Sequence, residues 1–486
     1  MLALARIATE YSKIILLLLL LITLGFASQL RHLQIDDDIL NMIPTDHPAR
    51  LLQENIEQQF GLRDLVILAV ENPQGAFNVE SLARIKSLSD YLQSLPEIIA
   101  EDVTSLATTD NIVAHNDDLL IRPPLSKLPH NDTQAKAVFQ EIKDNPLFLN
   151  RLVSADAKVI AIFAPLAKNT TRRSVYEQVS QHLAQLAPAK NGDQILVSGN
   201  VMIEGALGFS MRSDLRRLGP VIIVVLLLLL SIYFKHFKLA LLPILTGIIS
   251  VIWTMGLLSI LQIPVYLPTT LIPVMLLVIG ITDEVHLIAV YKNLGLNEDR
   301  HKSIFNALKK IIRPIGLTSM TTGVGFVALS FSPILPLKHF GLFTAFGIMV
   351  AYFLTFSLTP AFLALMHRPK AWAHSNALQK KSLIIWLWLS QLSAKNISIS
   401  LIFISFTIAW GASGIRVDEN WVNRFKSGTI LYESDARLNQ SLGGTSMLYG
   451  YIVSDQGTLK KPFVLQGIEQ LQQAISQLDN IGVTSQ

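Results

Sequence analysis

Cysteine is absent from the 486-residue chain. Its absence excludes disulfides and thiolate-held metals and leaves the redox compartment undecided. Charge is scarce: 16% of residues are charged, against 50% hydrophobic. No G-x-x-x-x-G-K-S/T run occurs, so the backbone cradle that ATP-driven machines use for phosphate is missing. No metal-ligand cluster or nucleophile elbow is visible either. The chain therefore reads as a non-enzyme with no catalytic residue, no metal and no cofactor. Its net charge of +4 is small and gives no reason to expect nucleic acid as a partner.

Hydrocarbon is what the chain has in quantity. A mean hydropathy of +0.42 is high for a soluble chain and modest for one that is all membrane. That balance points to spans plus at least one sizeable polar domain. Apolar runs long enough to cross a bilayer lie near 12–30, 218–234, 239–261, 267–290, 314–332, 338–366 and 396–413. The first, "IILLLLLLITLGFA", also fits a secretory signal peptide, since Arg6 and Lys13 precede it. Either reading sends the next segment out of the cytoplasm. Lysine and arginine crowd the proposed inner segments, with Lys235, Lys238, Lys309, Arg313, Arg368 and Lys380 among them. The short outer loops hold only Lys338, so every loop votes for the same orientation.

The expected organisation is a first span within 1–30, an extracytoplasmic domain over 31–213 and a five-span bundle over 218–366. A cytoplasmic linker (367–395), a seventh span (396–413) and an incomplete second domain (414–486) follow. Within the first domain "DLVILAV" (64–70), "VIAIFAP" (159–165) and "QILVSGN" (194–200) read as buried strands. Amphipathic helical stretches near 78–95, 133–143 and 173–187 alternate with them, which predicts βαβ units packed as an α/β sandwich. The loop 295–313 reads as a basic amphipathic helix on the membrane surface.

Internal similarity is the broadest pattern. "LQIDDDILNMI" (33–43) returns as "IRVDENWVNRF" (415–425), an offset of 382. At the same offset Phe60-Gly61 meets Leu442-Gly443, and Gln74-Gly75 meets Gln456-Gly457. A duplication of span, polar domain and further spans explains the constant offset. The second copy runs for roughly 70 residues, so the chain reads as part of a protein of roughly 750. A natural half-transporter with a short tail is the other reading. The second domain should dock against 31–213 or stay poorly ordered, since so short a piece buries little of its own apolar face.

One stretch conflicts with its surroundings. "VIGITDEVHLIAVY" (278–291) places Asp283, Glu284 and His286 inside an apolar run. Ionisable groups are costly at that depth, about 2.5–3.5 kcal/mol on insertion scales, so they are there for a task. Asp283 and His286 are three apart and share a helix face. Neighbouring titratable groups can pass a proton, each tempering the other's charge. On the next run Thr318, Thr322 and Gly325 are spaced i, i+4, i+7, a small polar stripe for close helix approach or for the relay. Pro268 and Pro273 would interrupt the fourth span early. The plainer readings stand beside these: Asp283 reaching interfacial water, Glu284 and His286 as satisfied structural groups, and the stripe as packing alone.

One span, a large outer domain, five grouped spans and then a restart resembles the resistance–nodulation–division (RND) superfamily. "ILVSGNVMIEGALGFSMRSDLRRLGP" (195–220) is similar to the end of its outer domain, and "IGITDEVHLIAVYKN" (279–293) to its fourth-span motif. The chain most resembles the MMPL-like exporters, whose spans two to six also resemble a sterol-sensing domain, and against that plan it reads as truncated after the seventh span. His286 stands three residues after Asp283 where the family histidine commonly stands four after its aspartate. The resemblance implies an α-helical polytopic membrane protein with an extracytoplasmic α/β, porter-like domain. It implies a secondary active transporter in a bacterial cytoplasmic (inner) membrane that exports lipids or other hydrophobic compounds in exchange for protons. Asp283, Glu284 and His286 would form the proton relay, with Thr318, Thr322 and Gly325 supporting it. Membrane lipids, and a homo-oligomer or an accessory periplasmic protein, are the implied partners. A sterol-sensing-type lipid receptor without pumping is the alternative.

Overall fold

The computed structural model describes residues 1–36, 38–61, 63–115, 118–168, 170–189, 191–294, 299–366, 394–415, 421–442, 444–445, 452 and 457–477. Among them, six helices are long and apolar enough to cross a membrane, spanning 12–32, 200–234, 237–260, 268–292, 300–331 and 335–365. The expected linker 367–395 and second-copy positions 416–420, Gly443 and Gln456 lie wholly or mostly outside the described residues.

The chain opens with α1 (Leu2–Glu10) and α2 (Ser12–Gln29), then α3 (Pro48–Phe60), which buries no residue. An α/β unit follows. Its sheet has β1 (Leu65–Glu71) at the centre, flanked by β4 (Val159–Pro165) and β5 (Gln194–Ser198). Both flanking strands pair antiparallel to β1. The expected βαβ sandwich is thus corrected in detail: α6 (Arg172–Gln185) joins β4 to β5, two parallel strands with β1 inserted between them. A hairpin of β2 (Asn111–His115) and β3 (Asp118–Arg122) and the helices α4 (Val79–Ser94) and α5 (Asp132–Ile142) lie between β1 and β4. Leu82, Ile85, Leu88 and Leu92 recur on one face of α4 and pack on Val66, Leu68 and Ile162. Asn78 caps that helix through the Ser81 amide.

The other face of the sheet is covered from far along the chain. After α13 (Ala394–Ala412), helix α14 (Ile430–Ser441) lays Leu438 on Ile67, Ala69, Ala161 and Leu196, with Leu442 beside it. The Ser198 hydroxyl donates to Asp435 Oδ1 at 2.8 Å, and Arg437 pairs with Glu71 at 2.8 Å. Element positions repeat at the offset of 382: α3 against α14, and α4 against α15 (Pro462–Ser476).

The α/β unit runs into the bundle without a break. At Gly199 φ is +94°, and a Cβ there would lie 2.3 Å from the Leu65 carbonyl, so this turn requires glycine. It starts α7 (Asn200–Phe234), one 35-residue helix with Pro220 inside it. Next come α8 (Phe237–Ile260), α9 (Ile272–Leu294) and α10 (Arg300–Ala328). The expected surface helix over 295–313 is not a separate element. Ser303, Ile304, Ala307, Leu308 and Ile311 are buried against the bundle, and the helix passes through Pro314 into its apolar half. The prolines of the fourth run also act differently from expectation. Pro268 opens a short 3-10 turn and Pro273 is the second residue of α9, where a missing N–H leaves no bond unmade. The sixth run splits into α11 (Leu335–Thr355) and α12 (Leu358–Leu365). Pro360 accounts for the break, because it cannot donate to the Phe356 carbonyl.

Candidate functional site

Helix α9 packs against α8, α10 and α11. Gly247 and Gly280 let α8 and α9 close in: their backbones meet at about the distance where a Cβ on Gly280 would be 3.6 Å from Gly247 Cα. One turn further along α9 stand Asp283 and Glu284. Apolar clusters close the bundle on either side of them, one around Phe234, Tyr291 and Leu308, the other around Leu258, Val265 and Phe340.

Glu284 is fully buried. The Thr246 hydroxyl on α8 donates to its Oε1 at 3.0 Å, and the Thr359 hydroxyl on α12 to its Oε2 at 2.7 Å. The α11–α12 break is what brings Thr359 there; Thr355, just before it, is also fully buried. Asp283 is 8% exposed and accepts one hydrogen bond, from Ser319 on α10 at 3.0 Å. Among the described residues no lysine or arginine pairs with either carboxylate, and no group of metal-ligating side chains forms. Such a site holds carboxyl groups by hydroxyls alone, which can bond to a protonated or an ionised carboxyl but hold the ionised one more strongly.

The other expected site residues stand outside the Glu284 pocket, although His286 lies close enough to Asp283 to interact with its charge. His286 is exposed on the bundle surface. Thr318 is exposed and donates to the Ile315 carbonyl at 2.9 Å. Thr322 donates to the Thr318 carbonyl at 2.7 Å, and Gly325 faces open space. The buried face of α10 is the adjacent one, Ile315, Ser319 and Gly323. Thr246, Ser319, Thr355 and Thr359 were not singled out from the sequence. Their signal was hydroxyls at helical spacing inside apolar runs, as in Thr246/Ser250 and Thr355/Thr359.

A half-buried polar cluster lies in the α/β unit. Arg172 sits 2.9 Å from Asp38 and 2.9 Å from Glu204, and also pairs with Asp64. Burial opposes its charge, but Glu204, Asp38 and Asp64 together raise its pKa above the ordinary arginine value. Three segments meet there: α7, the start of β1, and the stretch after α2. That stretch is itself tied to the α8–α9 loop, since the Val265 amide donates to the Gln34 carbonyl at 2.8 Å.

An open groove of about 500 Å³ between α8, α10 and α11 is lined by apolar side chains, including Leu257, Met320, Val324, Phe343 and Phe346. Its size is that of a small-molecule site.

A known family and a known protein are similar to the chain in sequence. The MMPL family model matches residues 85–396, from α4 to the start of α13. A protein of Methanocaldococcus jannaschii named as a membrane protein, MJ1562, is 22% identical over 380 residues, covering 75% of this chain and 93% of its own length.

Proposed function

Because the chain belongs to the MMPL family, an RND-like family of transporters of hydrophobic compounds, we propose that it is a proton-driven exporter of lipids or similarly apolar molecules. The observation that carries this reading is the Asp283–Glu284 pair, buried among membrane-length helices and held only by hydroxyls. Ionisable groups placed so are retained for a purpose, because burial penalises their charge and nothing structural needs it. A passive lipid receptor has little use for them.

The working cycle follows from the contacts. When Glu284 carries a negative charge, the Thr246 and Thr359 hydroxyls donate to it and draw α8 and α12 toward α9. Protonation removes the charge, weakens that hold and lets α9 shift relative to α8. The stretch 33–38 would carry the shift to the α/β unit through Val265 and the Asp38–Arg172 pair. The apolar groove is the natural place for a hydrocarbon chain to enter. His286 and Thr318, exposed on α9 and α10, and the half-buried Thr322 are assigned to a neighbouring subunit or half-bundle rather than to the Glu284 pocket. The 382-residue recurrence of element positions supports a duplicated plan, and the lysine and arginine bias supports an extracytoplasmic α/β unit in a bacterial cytoplasmic membrane.

The test is transport by the chain in proteoliposomes holding a fluorescent phospholipid analogue. Export should require a proton gradient and be lost in Glu284→Gln and Asp283→Asn. Gradient-dependent export by both variants at the wild-type rate would refute the proposal.

A further inference from the structure

The groove between α8, α10 and α11 has a polar end and a direction. On α11 its lining residues Leu342, Ala345 and Met349 recur at helical spacing. Lys338, one turn before Leu342, stands on that same face, in the first turn of α11. It is exposed, and no carboxylate pairs with it among the described residues. The short connections 261–267 and 329–338 hold no other lysine or arginine. Helix α8 meets the groove at its end, through Leu257 and Leu261, just before the connection whose Val265 bonds to Gln34. The groove therefore lies in the half of the bundle next to the α/β unit, with Lys338 at the outermost point. Eleven residues separate Lys338 from Met349, about 16 Å along the helix. Half of a bilayer's hydrocarbon is about 15 Å thick. The groove thus runs from one membrane surface to the midplane, the depth of one leaflet's acyl chains.

The walls are open to lipid: Met320, Val324 and Leu342 are all exposed. At the floor Gly323 is buried, yet a Cβ there would meet nothing within 4 Å, so α10 leaves room for a guest. We propose that the groove holds one acyl chain of an anionic lipid from the leaflet on the α/β side, with Lys338 binding the phosphate of its headgroup. The site rests on the reading of the chain as a lipid exporter with its α/β unit outside the cytoplasm, and it adds the leaflet and the headgroup. Apolar walls gain by covering the hydrocarbon of any lipid, so the groove alone selects no headgroup. A lysine at the interface adds a charge-assisted bond to phosphate, which a zwitterionic lipid's own ammonium partly cancels. An apolar helix of a second copy would fill the walls equally well, but it would leave Lys338 without an anion. The charge is what singles out the lipid.

The full chain is placed in nanodiscs of phosphatidylcholine with a trace of phosphatidylglycerol whose acyl chain ends in a photoreactive diazirine. A matched phosphatidylcholine probe is the control. Light should attach both probes near Met320 and Met349, with phosphatidylglycerol captured about fivefold more, the preference that one lysine gives beside an anionic headgroup. Lys338→Gln should bring the two probes level without moving the labelled positions, and Lys338→Arg should restore the preference. Gly323→Leu should fill the groove and remove labelling by both probes. If that variant folds poorly, the exposed Lys338 variants still decide the matter. Equal capture of the two probes by the wild type, or a preference that survives Lys338→Gln, would overturn the proposal. So would dimers of Val324→Cys chains formed on oxidation, which would put a second copy in the groove. The capture needs no proton gradient, so the expected labelling without export in proteoliposomes would refute the exporter reading and leave the lipid site standing.

Discussion

Two polar clusters in one chain are stabilised in opposite ways. Arg172 in the α/β unit is surrounded by three carboxylates and is saturated with opposite charge. Glu284 in the bundle has two hydroxyls donating to it and no basic partner among the described residues. A charge that is matched by fixed counter-charge stays put, because changing it strands its partners. A carboxyl group served only by hydroxyls changes protonation without stranding anything. The first arrangement is a fastening and the second a switch, because their partners differ.

Breaking the fastening should have the largest effect. Arg172→Leu leaves Asp38, Asp64 and Glu204 facing one another without a cation. A loss of about 3 kcal/mol is expected, the lower end of the range for an orphaned buried pair because these partners are part-exposed. Thermal unfolding of the purified chain reads it, and a melting curve like the wild type's would show that the cluster is not a fastening. Next in size is Thr359→Val, which removes one donor from Glu284. Its cost is about 1.5–3 kcal/mol while Glu284 is ionised, as for a hydrogen bond to a charged group. The same variant in a Glu284→Gln background should lose clearly less; equal losses in both backgrounds would mean that Thr359 only packs. The smallest effect is expected at Thr318→Ala. Its hydroxyl bonds within its own helix at an exposed position, so stability should move by no more than about 0.5 kcal/mol. A larger change would show that the exposed stripe on α10 faces something in the membrane.

The same contrast explains what the sequence disclosed. The carboxylates were legible because charge in an apolar run stands out whatever the fold. Their partners were not, since a hydroxyl in an apolar helix is common and only the packing decides which ones face inward. Thr318/Thr322 and Ser319/Gly323 are equally good stripes one residue apart, about 100° around the helix. The long α10, continuous from Arg300, sets the phase that buries Ser319. Strand positions were legible from the apolar runs, but not their pairing. β1 is buried on both faces, as parallel strands usually are. Here the second face is covered by α14, far along the chain, and no local pattern announces that contact. The α11–α12 break was marked by Pro360 within a run that hydropathy alone reads as one span.

The central claim is that Asp283 and Glu284 exchange protons inside the bundle. Infrared difference spectra of the chain in lipid, taken between acid and alkaline buffer, test it most directly. A protonated-carboxyl band that changes with pH is expected in the wild type, losing one component in Glu284→Gln, another in Asp283→Asn and both in the double variant. A difference spectrum that survives unchanged in the double variant would contradict it.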